Sequence, residues 1–463
     1  MFQKENDRES YRPTGFRFAE KPAILLPVHR KYLKISTERL SLPRDKLNLG
    51  EHLMTTVHQL SSPWRHDFPA LNTKVHDKPL VYLDTAATAQ TPLSVIRRMN
   101  DFYQHEYANV HRGIHQLSMT ATENMEQVRQ QVAGYINAPD AQNIVFTKGT
   151  TEAINLVAQT FVKNQLKPGD EIIVTEMEHH ANLVPWQMMA QAGQLTIKVW
   201  PVTPSGELEV SDLKALITDR TKFLAVTHVS NVLGTINPVR DYIQLARQHQ
   251  IAVLVDGAQA VLHQQTDVQD LDCDFYVFSA HKLYGPTGTG VLYVKPGRYE
   301  QMPPWEGGGA MIKKVILPTG TTYNHPPLCF EAGTPNIAGI LGLGAAIDYI
   351  RNIGIDVIRS HEDNILRYCL EQLQHIGDVE IYGTPKTRAG TIAFNLIPHH
   401  AYDVGTFFDH YGVAIRTGHH CAMPLIEKLG QNSVCRASFG MYTDQQDIDC
   451  FIAAIHHIKA LLD

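Results

Sequence analysis

The chain has 463 residues, 43% apolar and 19% charged, with a formal net charge of -6. That length asks for two domains, or one large domain with an appendage. The acidic balance disfavours a nucleic-acid footprint, and no apolar run approaches the ~20 residues of a membrane span. Six cysteines with no Cys-x-x-Cys pair are too sparse for a disulfide framework, which fits a reducing cytoplasm where any working cysteine is a free thiol.

Residues 1–57 differ from the rest. Up to Thr56 they carry eleven Lys/Arg against seven Asp/Glu, and Pro13, Pro22, Pro27 and Pro43 break any long periodicity. The segment lacks the apolar stretch of a secretory signal, and its acidic residues argue against a transit peptide. It reads as a poorly ordered extension, with Met54 as an alternative start.

From about Pro79 short apolar runs of buried-strand length alternate with helical stretches. The predicted strands are Asn143–Thr147, Glu171–Thr175, Leu195–Trp200, Lys222–Thr227, Ile251–Val255, Phe275–Phe278 and Gly290–Lys295. Between them Glu152–Val162, Asp212–Ile217 and Val239–His249 each show one apolar face. Strands joined by crossover helices imply a mostly parallel sheet. Beyond Asn336 the texture changes to two long helices, Ile337–Asn352 and Ile355–Gln374, then strand-like runs at Thr391–Leu396 and Val413–Arg416. The expected organisation is a large α/β domain over 84–336 and a small α+β domain over 337–463. Residues 58–83 are expected to pack with the small domain.

Ligands in open α/β sheets sit beyond the carboxyl ends of the strands. Those ends here deliver Glu178, His179 and His180; His228, Ser230 and Asn231; Asp256 and Gln259; and Ser279, His281 and Lys282. Thr150 and Thr151 open the helix after the first strand, either as phosphate donors or as a simple N-cap. Asp256 ends an apolar strand, where a carboxylate costs desolvation unless it caps a helix or meets a partner. Lys282 taken alone reads as a solvated lysine. Together an acid, an amide, a hydroxyl, an imidazole and an amine in one β-α-β unit match the needs of a pyridoxal 5′-phosphate site. Cys421 taken alone reads as a small buried hydrophobe, yet it follows the polar run Thr417-Gly-His-His with Arg416 nearby. The pairs His179-His180 and His419-His420 lack metal-site spacing, so no metal is expected.

Asp256-Gly-Ala-Gln, Ser279-Ala-His-Lys282-Leu-Tyr-Gly-Pro-Thr-Gly, Glu178-His-His-Ala-Asn and Arg416-Thr-Gly-His-His-Cys421-Ala-Met-Pro resemble the SufS-type (group II) cysteine desulfurases. These are class V aminotransferase-like enzymes, and the resemblance runs from about Ser62 to the C-terminus. It implies a fold-type I pyridoxal-phosphate transferase with a mostly parallel seven-stranded sheet and a smaller C-terminal domain that carries the cysteine.

The resemblance also implies roles. Lys282 would hold the cofactor as a Schiff base and move the Cα proton, and Asp256 would pair with the pyridinium nitrogen. Gln259 would bond O3′, His179 would stack on the ring, and Asn231 would lie near O3′ and the substrate. Thr150, Thr151, Ser279 and His281 would hold the phosphate, with Thr334 reaching it across a homodimer interface. Arg436, with Arg416 close by, would take the carboxylate of L-cysteine. Cys421 would receive the sulfur as a persulfide and pass it to a SufE-like acceptor for iron–sulfur cluster assembly. Lys148 stands where the family tends to have arginine. The interval Arg416–Pro424 reads as a short constrained loop, so the acceptor is expected to come to the persulfide. Selenocysteine lyase activity is expected beside this one. The rival readings are a class V aminotransferase and a catalytically idle assembly scaffold.

Overall fold

The central strands of the large sheet are apolar along most of their length because both faces are covered. A computed structural model describes residues 60–462. The extension read over 1–57, including Met54, lies outside the described residues. The elements below belong to one compact unit, His58–Asp463.

Seven strands form the sheet: β1 (Ile144–Thr147), β2 (Glu171–Thr175), β3 (Thr196–Trp200), β4 (Thr221–Thr227), β5 (Ala252–Asp256), β6 (Phe275–Ser279) and β7 (Gly290–Val294). They lie in the order β1-β7-β6-β5-β4-β2-β3. All pairings are parallel except those of β7, which runs antiparallel to both β1 and β6. The fold is that of a fold-type I transferase, as expected.

Alternate residues feed two separate cores. Ile144, Phe146, Val253, Val255, Tyr276 and Phe278 pack on one face. Val145, Ala252, Leu254, Phe275 and Val277 pack on the other. A strand buried on both sides loses the polar alternation of a half-exposed one, so these runs are visible in sequence.

Two helices precede the sheet, α1 (Leu93–Asp101) and α2 (Gln116–Tyr135), and α3 (Thr150–Val157) follows β1. Helix α4 (Val184–Gly193) connects β2 to β3, and α5 (Val239–Gln248) connects β4 to β5. Past the sheet, β8 (Ile312–Val315) and β9 (Thr321–Tyr323) make a hairpin. Helix α6 (Ile337–Ile353) packs against α1 and α2, and the chain turns at Gly354 into α7 (Ile355–Gln374).

A four-stranded antiparallel sheet then forms from β10 (Val379–Tyr382), β11 (Thr391–Leu396), β12 (Arg416–Gly418) and β13 (Val434–Ser438), in the order β10-β11-β13-β12. Helices α8 (Ala401–His410), α9 (Met423–Lys428) and α10 (Gln445–Leu462) complete this part. The run read as one strand over 413–416 divides. Val413–Ala414 pairs with Val81–Tyr82, and Arg416–Gly418 pairs with β13. The core of this sheet takes Val81 and Leu83 from the segment before α1. Chain segments far apart in sequence are thus tied together beside the strand ends of the large sheet.

Candidate active site

Glu178 fixes the turn that follows β2. It is fully buried, and its carboxylate accepts from Thr175 Oγ1 at 2.8 Å, the Thr227 N–H at 2.8 Å and Asn182 Nδ2 at 2.6 Å. Burial pushes its pKa up to about 8, while these donors pull the other way. The turn projects His179 over a cavity of about 420 Å³ at the carboxyl ends of the strands. His179 Nδ1 accepts from the Ala181 N–H at 3.0 Å, so its proton sits on Nε2, facing away from that bond. Burial and, after it, Lys282 lower the imidazole pKa to about 3, which keeps the ring neutral.

Thr150, Thr151, Asn231, Asp256, Ser279, His281, Lys282, Arg416, Cys421 and Arg436 line the same cavity. Asp256 ends β5, and one of its oxygens accepts from the Ala258 N–H at 2.9 Å. Lys282 leaves β6 through a short 3-10 turn. Its amine enters no hydrogen bond or ion pair among the described residues. Burial lowers its pKa, with Asp256 acting in the opposite direction. At the start of α3 the Thr150 and Ser279 hydroxyls meet at 2.7 Å, and Ser279 Oγ also takes the Thr150 N–H at 2.8 Å. The first N–H groups of a helix lack intrahelical partners and favour an anion, and Thr150 and Thr151 at this helix start line the cavity.

Two of the sequence-predicted residues lie outside the cavity wall. Gln259 Nε2 donates to the Ala86 carbonyl at 2.7 Å, and its buried Oε1 has no partner. Thr334 lines a separate cavity of about 330 Å³ with Lys148, Glu152 and Trp305. Its segment is anchored by Glu331, which makes a paired salt bridge to buried Arg129 (2.6 and 3.0 Å) and accepts the Phe146 N–H at 2.8 Å. Asn231 does reach the cavity, and its Nδ2 donates to the His420 carbonyl at 2.8 Å.

Asp84 was missed by the sequence reading. It ends the short apolar run Val81–Leu83, the same signal that singled out Asp256. One of its oxygens accepts from Arg436 Nη2 at 2.8 Å, and the other accepts from Arg416 Nη2 at 3.0 Å. Arg436 is buried on β13, its Nη1 donates to the Asn231 carbonyl at 3.0 Å, and its Nε is buried without a partner. The two guidinium groups bring one more positive charge than Asp84 cancels, so the pair suits a single added carboxylate.

The donor set fits pyridoxal phosphate. Hydroxyls and helix N–H groups offer a phosphate seat, Asp256 a partner for a ring nitrogen, and Lys282 an amine for the aldehyde. Within the cavity wall, the buried Arg436 Nε without a partner marks a polar contact that the protein alone leaves unmade.

Comparison with known proteins places this geometry. The class-V aminotransferase family model matches residues 81–451. A cysteine desulfurase of Dickeya dadantii (strain 3937) is 57% identical over 398 residues, covering 86% of this chain and 96% of the relative. The crystal structure of the Escherichia coli cysteine desulfurase CsdA is 40% identical with a TM-score of 0.80, over 86% of this chain and 98% of that one. The apo cysteine desulfurase of Thermococcus onnurineus NA1 is 37% identical with a TM-score of 0.80, over 85% and 98%.

Proposed function

The chain belongs to the class-V aminotransferase family, among its cysteine desulfurases, and from that premise we propose that it moves the sulfur of L-cysteine onto Cys421 and releases L-alanine. The observation that carries this reading is that one cavity is lined by Lys282, Arg436 and Cys421 together. An aminotransferase has no use for the thiol, and an idle scaffold has no use for all three.

Pyridoxal 5′-phosphate is the cofactor; when bound it supplies an electron sink for the pair left at Cα once the proton is gone. Lys282 holds it and, as a buried amine of lowered pKa, takes the Cα proton. Arg436 holds the substrate carboxylate in a planar fork that lysine does not offer. His179, neutral with its proton on Nε2, can donate a hydrogen bond within the cavity. The Cys421 thiolate attacks the substrate sulfur, the Cβ–S bond breaks, and the carbon fragment keeps the bonding pair and gains a proton at Cβ, after which the proton held by Lys282 returns to Cα. Alanine and a Cys421 persulfide result, with atoms and electrons balanced.

Cys421 is exposed, whereas Cys273, Cys329, Cys369 and Cys435 are buried. All six cysteines are free, which supports a reducing compartment such as the cytoplasm. The reading has the persulfide on this short segment handed to a SufE-like acceptor protein that docks at the cavity mouth, as in a SufS-type enzyme. A homodimer is part of the reading, because Thr334 lies outside its own chain's cavity and would serve a second copy. Selenocysteine is a further substrate, since selenium leaves more readily than sulfur.

The test is incubation of the holoenzyme with L-cysteine and a thiol. Equal amounts of alanine and sulfide are expected, with both lost in Cys421→Ala while the cofactor absorbance stays. Retention of selenocysteine turnover by that variant supports the second substrate. Full cysteine turnover by it would sink the persulfide reading.

A further inference from the structure

Cys421 occupies a backbone conformation that needs outside support. His420 and Cys421 both have positive φ, 53° and 55°, a region that residues with a Cβ rarely adopt, and here two stand in succession. Asn231 secures the first of them through the His420 carbonyl. The second is bracketed by one residue. The His180 N–H donates to the Cys421 carbonyl at 2.6 Å, and His180 Nε2 accepts the Met423 N–H at 3.1 Å.

Met423 opens α9. Its N-cap residue is Ala422, which has no side-chain acceptor, and Pro424 follows. The first N–H of this helix therefore has no local cap, and the imidazole supplies one from the turn after β2. Because Nε2 accepts, the ring is neutral with its proton on Nδ1. The two adjacent histidines thus divide their work: His179 faces the cavity and His180 faces the loop that carries the thiol.

We propose that His180 is a positioning residue for the nucleophile, an acceptor that fixes the segment 418–423 so that Cys421 is presented to the cavity. The proposal rests on the reading of Cys421 as the sulfur acceptor. It concerns geometry, not chemistry at the cofactor, so its loss should lower kcat and leave the cofactor and substrate binding intact.

The test compares His180→Ala and His180→Gln holoenzymes, since a glutamine carbonyl reaches about as far as Nε2. Losing one neutral hydrogen bond predicts a fall of roughly five- to tenfold in alanine formation for His180→Ala. KM and the cofactor absorbance band should not change. Hydrogen exchange of the Met423 amide should speed up by a similar factor, and His180→Gln should recover much of both losses. Wild-type turnover and exchange in His180→Ala would overturn the proposal. So would equal losses in the two variants, or a loss confined to KM or to the cofactor band. Full turnover by Cys421→Ser would instead remove the sulfur-acceptor reading, and the Met423 exchange would still decide whether His180 holds the loop.

Discussion

Arg436 Nη2 stands 2.8 Å from Asp84 Oδ1, and the other oxygen of the same carboxylate holds Arg416 Nη2 at 3.0 Å. Arg436 is buried, so Asp84 is what makes its charge tolerable. Removing one partner of such a pair leaves an uncompensated charge, which costs about 3 kcal/mol or more. Asp84→Ala is expected to lose about that much in chemical denaturation, and Asp84→Asn less. Arg436→Lys should retain the fold better and raise KM for cysteine on the order of tenfold, because an ammonium cannot form the planar fork.

Lys282 reacts with the cofactor aldehyde as the free amine. Burial lowers its pKa below the ordinary 10.5, and Asp256 opposes that shift. Uptake of pyridoxal phosphate by the apoprotein should therefore be fast above the lowered pKa and decline as pH falls through it. Asp256→Asn should move the midpoint to lower pH still, read by the growth of the cofactor absorbance band. A midpoint at or above 10.5 in both proteins would contradict the assignment.

His228 offers a pH test of stability remote from chemistry. It is buried between Tyr276 Oη, 3.1 Å from Nδ1, and Gln264 Nε2, 2.7 Å from Nε2. Burial lowers its pKa from 6.5 to about 4. As pH falls below 6.5 the unfolded chain takes up a proton that the native state refuses. The contribution of neutral His228 is therefore complete above 6.5 and is lost on the way down to about 4. The stability advantage of wild type over His228→Asn should shrink across that window, by at most about 1.4 kcal/mol per pH unit. Denaturant melts at several pH values measure it.

Gly290 is where β7 passes the turn into α3. A Cβ there would stand 2.4 Å from Gly149 Cα, and backbone cannot yield as a side-chain tip can. Gly290→Ala should displace the Gly149–Thr151 turn, costing roughly 1–3 kcal/mol of stability. Cofactor affinity should fall with it, seen as release of pyridoxal phosphate at concentrations where wild type stays loaded.

The large sheet was legible because its strands are buried on both faces and need no partner information to be recognised. The polar groups at their ends were legible for the same reason: Asp256 and Ser279 directly follow apolar runs, and His179 and Lys282 come a few residues later. Strand β13 was not, because Arg436 interrupts it, and a buried charge reads as surface until Asp84 is placed beside it. Helix α2 was hidden likewise, since buried Arg129 on its inner face is compensated by Glu331, 202 residues away.

The sequence by itself therefore determined the sheet and the polar rim at its strand ends, both matters of local periodicity. Tertiary structure alone decided that Asp84, 352 residues from Arg436, ties the two arginines together. It also decided that His180 caps Met423 from 243 residues away. Such contacts arise when the small sheet closes beside the strand ends, and burial then fixes which charge must pair with which.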